Sequence, residues 1–436
     1  MADQPVQPQF LDDEVIPRPV RGARTATAIP VAPAVLPKER KLTFLATLDR
    51  PVLVIVGMLL ALGTVMVFSA TFNWSLVEFG SETAVLNNHL RNVAVGLVLM
   101  FVFARVDTRL IRRLAVIIML MAISFLIAVL LFGDDTFGAR RALINGRFQP
   151  GEFSELAIII YMSAWLGSKN MRVSSLAYGL IPFSVLVLIV TGLVVLQPDL
   201  STAAVIFMTS GMMFFLAGAD LRQVGIIVLV IAIVGLTGYQ FLPDYAKDRV
   251  DTFQAGLSDP TKTNYHTQQA LIALYYGGWT GVGLGESEQK FLALPAPHTD
   301  SIFAVIGEEL GVIGAGVVIA LYIAFALRGF QIARRASDAF RALLAAGVTM
   351  WVSIKAILNI AVMTALVPSS GLPLPFISFG GSSLVVLMVG VGLLLSVQRD
   401  NLLQQPERRT AVAHYDRSRR NGGARVPRAR RSRVDA

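Results

Sequence analysis

Between residues 52 and 397 the chain carries ten long apolar runs, and this feature limits its fold more than any other. They lie at about 52–70, 92–106, 113–132, 154–167, 176–196, 201–218, 223–242, 302–327, 340–367 and 383–397. In hydrocarbon, backbone N–H and C=O groups must bond within their own segment, so runs of this length specify helices. Their apolarity is continuous rather than alternating, which excludes a membrane β-barrel. A span needs roughly 20 apolar residues, so the shorter runs must recruit their flanks to cross. The expected fold is an all-α polytopic membrane protein of about ten transmembrane helices, with a large extracellular loop between helices 7 and 8.

The charges agree. Only 15% of the 436 residues are charged, against about 25% in soluble domains. Residues 1–50 hold 7 of the 38 Lys and Arg residues and residues 398–436 hold 11. With both termini in the cytoplasm, 29 basic residues fall inside and 8 outside, with Lys355 within a run. That asymmetry orients the chain in its membrane and favours an even number of spans. The net charge of +9 therefore points to topology and anionic lipid, not to nucleic acid. The absence of cysteine excludes disulfides, thiolate metal sites and a cysteine nucleophile. Four scattered histidines make a histidine metal cluster unexpected.

Three regions follow: a Pro-rich tail at 1–50 without a signal-peptide pattern, a transmembrane domain at 51–398, and an Arg-rich tail at 399–436. Both tails read as disordered. The connection at 243–301 is long and polar, and long ordered connections are usually functional. With the outside segments 133–153 and 368–382, it places any chemistry on the outer face.

Residues Pro297-His298-Thr299-Asp300 pass directly into an apolar run. Asp300 reads either as a helix N-cap or as a carboxylate held at the membrane surface. Glu308 and Glu309 follow within the helix, where charges are functional or paired; Lys355 is a candidate partner. The run 277–285 holds five glycines and reads either as a phosphate nest or as a tightly packed loop. Glu152 and Asp199 each stand near a proline at a helix end, where either could line a cavity. Arg140 and Arg141 suit bidentate bonding to pyrophosphate, although snorkelling is the default for interfacial arginine. Residues 370–383 contain Pro373 and Pro375 and read as a re-entrant or surface-packed hairpin.

These motifs resemble the SEDS family (shape, elongation, division and sporulation), the FtsW/RodA/SpoVE glycosyltransferases, over most of residues 50–400. The residues that carry the resemblance are the segment ending at Asp300, Gly307 to Gly311, the Gly-rich run, Gln197-Pro198-Asp199 and Gly380-Gly381-Ser382-Ser383. The Glu-Glu-Leu-Gly run and the basic tails look more like the division branch than the elongation branch. The resemblance implies polymerisation of peptidoglycan strands from lipid II, with Asp300 as the essential acid. It further implies substrate-binding roles for Arg141, Glu152, Asp199, Gln269 and Ser382. A class B penicillin-binding protein and other division proteins are the implied partners. Gly151, Ala142, Ser201 and His266 depart from the family pattern. Glu155 stands where lysine is usual and Lys355 where glutamine is common, which suggests that a positive charge lost from one helix is replaced from another.

The expected chemistry is inverting glycosyl transfer from a lipid-linked pyrophosphate. Asp300 would accept the proton of the attacking hydroxyl or hold a divalent cation, Mg²⁺ or Mn²⁺, that assists. Arg141, Arg249, Lys355 or the cation would meet the leaving pyrophosphate. No nucleotide is needed, because the donor is already activated. The rivals are a lipid II flippase and a non-catalytic scaffold of the division machinery.

Overall fold

The computed structural model describes residues 44–421, apart from 137–138, 144–147, 170 and 242–243. Residues 1–43 and 422–436, which hold much of the two expected tails, lie outside the described residues. The helices are α1 (Phe44–Thr47), α2 (Arg50–Phe79), α3 (Ala84–Arg105), α4 (Thr108–Phe132), α5 (Pro150–Leu166), α6 (Ile181–Val195), α7 (Leu200–Leu216) and α8 (Leu221–Gly238). They continue with α9 (Asp244–Ser258), α10 (Tyr265–Gly277), α11 (Gln289–Leu292), α12 (Ile302–Arg334), α13 (Ala339–Met363) and α14 (Gly381–Asn421).

Each of the ten apolar runs lies on one of these helices. Among the described residues seven segments are long and apolar enough to cross a membrane: α2, α3, α4, α6 with the π-helical turn before it, α12, α13 and Gly381–Leu403 of α14. Helices α5 and α7 have 17 residues each. The sequence sets where many of these helices begin. Asp49, Asp107, Asp220 and Asp338 each precede a helix, and each side-chain carboxylate accepts from a first-turn N–H. Such caps are worth about 1 kcal/mol each. Asp49 also accepts a two-pronged bond from Arg328, at 3.0 and 2.7 Å, which ties the start of α2 to α12.

Two features differ from expectation. Asp134–Thr136 and Ala139–Ala142 form a short antiparallel hairpin, β1–β2, within the otherwise helical chain. The last helix also continues to Asn421, well past the expected boundary at 398. Residues 399–421 contain six Arg and no glycine, and the helix runs on although Pro406 lies within it.

Helices α5, α13 and the first part of α14 form the centre, and most of their residues are buried. Large apolar side chains stand outward on the surrounding helices, among them Val98 on α3, Leu120 and Leu131 on α4, Leu188 on α6 and Ile323 on α12. A water-facing surface rarely carries so much contiguous apolar area; a hydrocarbon-facing one does.

The Gly-rich run resolves to its packed reading. Helix α12 is broken at Gly311, where φ is +67°. The break frees carbonyls and N–H groups that hydrocarbon cannot satisfy, and residues 278–283 satisfy them. Val282 and Gly283 donate to the Glu308 and Glu309 carbonyls at 3.0 and 3.1 Å, and Val312 donates to the Gly278 carbonyl at 2.9 Å. Those N–H groups are thus engaged by helix carbonyls rather than open to a phosphate. Gly281 has φ +81°, and a Cβ there would strike the Glu309 backbone. Gly281→Val is expected to destabilise the protein by about 3 kcal/mol or more, read as a lowered unfolding temperature in detergent. Unchanged stability would show that the kink tolerates a side chain.

Candidate functional site

Residues 295–301 make a turn that ends at α12, and its main chain is fastened from three sides. Asn359 of α13 donates through Nδ2 to the Asp300 carbonyl at 2.8 Å and to the Leu372 carbonyl at 2.7 Å. Ser378 Oγ donates to the Thr299 carbonyl at 2.6 Å. The Phe379 N–H donates to the His298 carbonyl at 2.8 Å. The His298 ring stacks on Trp74 of α2 at 4.9 Å between centroids. Burial lowers the His298 pKa, so the ring stays neutral at pH 7. His266 is lowered too, by burial and by nearby Arg249. Its Nε2 lies 2.5 Å from Ser301 Oγ. The single Ser301 proton goes to the Pro295 carbonyl, so His266 is the donor of that pair.

The cap position of α12 is Ser301, so Asp300 stands one residue outside the helix, and it lines a cavity of about 950 Å³. Its Oδ2 lies 3.3 Å from where a Cβ on Gly371 would stand, so glycine at 371 leaves room for the carboxylate.

The cavity gathers much of what the sequence proposed. Glu152 of α5, Asp199 before α7, Arg249 of α9, Asp300, Lys355 of α13 and Ser382 of α14 all line it. Ser382 Oγ donates to Glu152 at 3.2 Å. Asp199 caps α7, accepting from the Thr202 N–H at 3.0 Å and from its hydroxyl at 2.8 Å. Gln269 sits half-buried on α10 and is not among the cavity-lining residues. Arg141 lies on β2, and its side chain is outside the described residues. Residues 371–373 and 379–383 line the same cavity, and Leu372, Leu374, Phe376 and Ile377 are buried within the protein.

Two buried ion pairs differ in how far the sequence foresaw them. Glu155 and Lys355 meet at 2.8 Å, both fully buried, and the Trp351 indole N–H donates to the same carboxylate oxygen at 2.8 Å. Glu309, in contrast, does not pair with Lys355. Its partner is Lys290, at 2.6 Å with both side chains fully buried, and Ser69 completes the cluster. Lys290 is therefore not the solvent-facing charge its polar surroundings imply. Glu308 accepts from Ser287 Oγ and from the N–H groups of Glu288 and Gln289. Both glutamates fasten the 285–290 segment to α12.

The sequence reading missed Asn88, Arg91 and Asn92, which line the cavity from α3. They recur at i, i+3 and i+4, the spacing of one helix face, at the polar start of an apolar segment. It also missed Asn359, whose only signal is an amide inside an apolar run.

A divalent cation fits these residues poorly as a resident group. Among the described residues no three His, Asp or Glu side chains converge on a common ion position. The oxygens of Asp199 are engaged by Thr202, and Glu152 is engaged by Ser382. No step is therefore routed through a cation.

Residues 50–402 match the profile described as cell cycle protein, which groups FtsW, RodA and SpoVE. The chain is 36% identical over 365 residues to the probable peptidoglycan glycosyltransferase FtsW of Trichlorobacter lovleyi, covering 82% of this chain and 95% of the relative. It is 35% identical over 344 residues to the peptidoglycan glycosyltransferase MrdB of Escherichia coli K12, covering 78% and 92%. Stage V sporulation protein E of Bacillus subtilis is 33% identical over 358 residues, covering 80% and 97%. A solved structure described as the structural coordination of polymerization and crosslinking by a peptidoglycan synthase complex superposes with a TM-score of 0.67 and 26% identity, covering 81% of this chain and 98% of that one. The rod shape determining protein RodA of Thermus thermophilus gives 0.61 at 24% identity, covering 81% and 97%, a likeness of fold.

Proposed function

This chain belongs to the FtsW/RodA/SpoVE family of cell cycle proteins and is a membrane-embedded peptidoglycan glycosyltransferase; we propose that it polymerises glycan strands from lipid II and does so at the division septum. The observation that carries the reading is Asp300, held by its main chain at the wall of a cavity that also contains Arg249 and Lys355.

The proposed reaction follows from that arrangement. The 4-hydroxyl of a terminal N-acetylglucosamine attacks the anomeric carbon of a lipid-linked N-acetylmuramic acid from the face opposite the pyrophosphate. The new C–O bond forms as the bond to pyrophosphate breaks, so the configuration inverts. The hydroxyl proton passes to the Asp300 carboxylate. The electron pair leaves with undecaprenyl pyrophosphate, whose developing charge meets Arg249 and Lys355. Asn359 keeps the Asp300 main chain in place through the step.

The excess of basic residues on one side supports cytoplasmic termini and a cavity on the outer face of a bacterial cell membrane. A class B penicillin-binding protein is the proposed partner, and the peptidoglycan synthase complex that shares this fold supports it. Identity to FtsW and to MrdB is nearly equal, 36% and 35%, so the septal role rests on the resemblance of the Glu-Glu-Leu-Gly run and the tails to the division branch. Purified protein with its transpeptidase is expected to convert lipid II to strands on a gel, which neither a flippase nor a scaffold does. Depletion in the native cell is expected to give filaments; rounded cells that still divide would move the protein to elongation.

A further inference from the structure

Within the polar outer connection, residues 263–285 carry no Asp, Glu, Lys or Arg, although Lys262 and Glu286 bound them. Helix α10 and the Gly-rich run occupy this stretch. Gly277 and Gly307 bring the main chains of α10 and α12 together, and a Cβ on Gly277 would strike the Gly307 carbonyl oxygen. The first turn of α10 lies beside the turn that carries Asp300, where His266 bonds Ser301. The run after α10 lies beside the break at Gly311, where the Ile313 N–H donates to the Trp279 carbonyl at 3.2 Å. The side chains there face outward. Tyr275 is 82% exposed and Trp279 76%, and Tyr276, Val282 and Leu284 are exposed with them. Val312 and Ile313 of α12, bonded to the same run, are exposed too.

Two counts along different helices give the level of this patch in the membrane. The Asp49–Arg328 ion pair ties α2 to α12 on the side rich in Lys and Arg. From that pair, Ser69 is twenty residues along α2 and Glu309 is nineteen back along α12. At about 1.5 Å per residue, each count reaches about 30 Å, the thickness of the hydrocarbon core. Ser69 and Glu309 meet at Lys290, so both counts end at one place. That place is the outer boundary between acyl chains and headgroups, and Val282 and Gly283 bond α12 at the same level.

We infer that residues 275–284 are a lipid-contact surface, with Tyr275, Tyr276, Trp279, Val282 and Leu284 inserted at the headgroup–acyl boundary of the outer leaflet. Tyrosine and tryptophan suit that level, because their rings are apolar while their O–H and N–H groups reach the wet layer. Water alone is a poor neighbour for five large apolar side chains on one short segment. The surface is also continuous with the hydrocarbon-facing residues of α12. The connection that reads as external from its polarity thus carries its own membrane anchor, beside the turn that holds Asp300. The inference does not depend on the polymerase reading.

The chain contains no cysteine, so a single introduced cysteine can be labelled without background. Tyr276→Cys, Trp279→Cys and Val282→Cys are each made in the full chain, tagged with bimane and placed in phosphatidylcholine vesicles. Quenchers are nitroxides placed high or low on the lipid acyl chain, and iodide in the water. Asp248→Cys on α9 is the water reference and Leu120→Cys on α4 the mid-membrane reference; both residues are exposed. At the three patch positions the high nitroxide is expected to quench more than the low one. Iodide quenching is expected to fall several-fold below that at Asp248→Cys. Leu284→Cys replaces any variant that loses the wild-type unfolding temperature. Iodide quenching equal to that at Asp248→Cys, with none from lipid, would overturn the inference. Protection from lipid and iodide alike would also overturn it, and would mean that a second copy of the chain covers the patch. Quenching strongest from the low nitroxide, as at Leu120→Cys, would overturn the boundary level.

Discussion

Asp300→Asn is expected to lower strand formation from lipid II by about 10²- to 10⁴-fold, the usual cost of losing a general base, while leaving the fold intact. The substitution is nearly isosteric and removes only the charge. These contacts to the turn from α13 and the 370–380 segment go to main-chain carbonyls: Asn359 to Asp300, Ser378 to Thr299, and the Phe379 N–H to His298. A side-chain change at 300 leaves all three in place, so the unfolding temperature in detergent is expected to stay within a few degrees of wild type. Asn359→Ala is the complementary variant. It keeps the carboxylate but releases the Asp300 and Leu372 carbonyls it bonds, costing about 1–3 kcal/mol and lowering activity by misplacing an intact acid. Full activity in Asp300→Asn would remove the carboxylate from the proton transfer.

How much of this was legible in the sequence depends on the range of the interaction. The helices that carry the apolar runs were legible because continuous apolarity is a local property, and four of their starts lie at Asp49, Asp107, Asp220 and Asp338, each capping its own first turn. The break at Gly311 was not. The residues that make it tolerable, 278–283, lie about thirty positions earlier and meet it only in three dimensions. The burial of Lys290 was not legible either. Its neighbours in sequence are polar, but its neighbours in space are Glu309 and Ser69. The site was legible in part, because Glu152, Asp199, Asp300 and Ser382 sit in recognisable motifs. Asn88, Arg91 and Asn92 carry no such motif, and only the packing of α3 beside the start of α14 brings them to the cavity.

Lys355→Met is expected to be the most destabilising single change at the site. Lys355 and Glu155 are buried together, and removing one partner of a buried pair costs about 3–5 kcal/mol, because the other charge remains in a medium that cannot solvate it. The Trp351 indole N–H would still donate to Glu155, whose Oε1 already lacks a partner among the described residues. The double variant Glu155→Gln/Lys355→Met removes both charges and is expected to recover most of that stability. Activity separates the two roles of the lysine. Lys355 lines the cavity whereas Glu155 does not, so if its charge serves the leaving pyrophosphate, the double variant is stable but still slow. A double variant with wild-type turnover would show that Lys355 only neutralises Glu155. The exchange Glu155→Lys/Lys355→Glu, which charge replacement between the helices suggests should restore function, meets an obstacle at Trp351. Its indole N–H now donates to the carboxylate and would face an ammonium after the exchange, donor against donor. Rescue is therefore expected to be partial, and more complete when Trp351→Phe removes the opposing N–H.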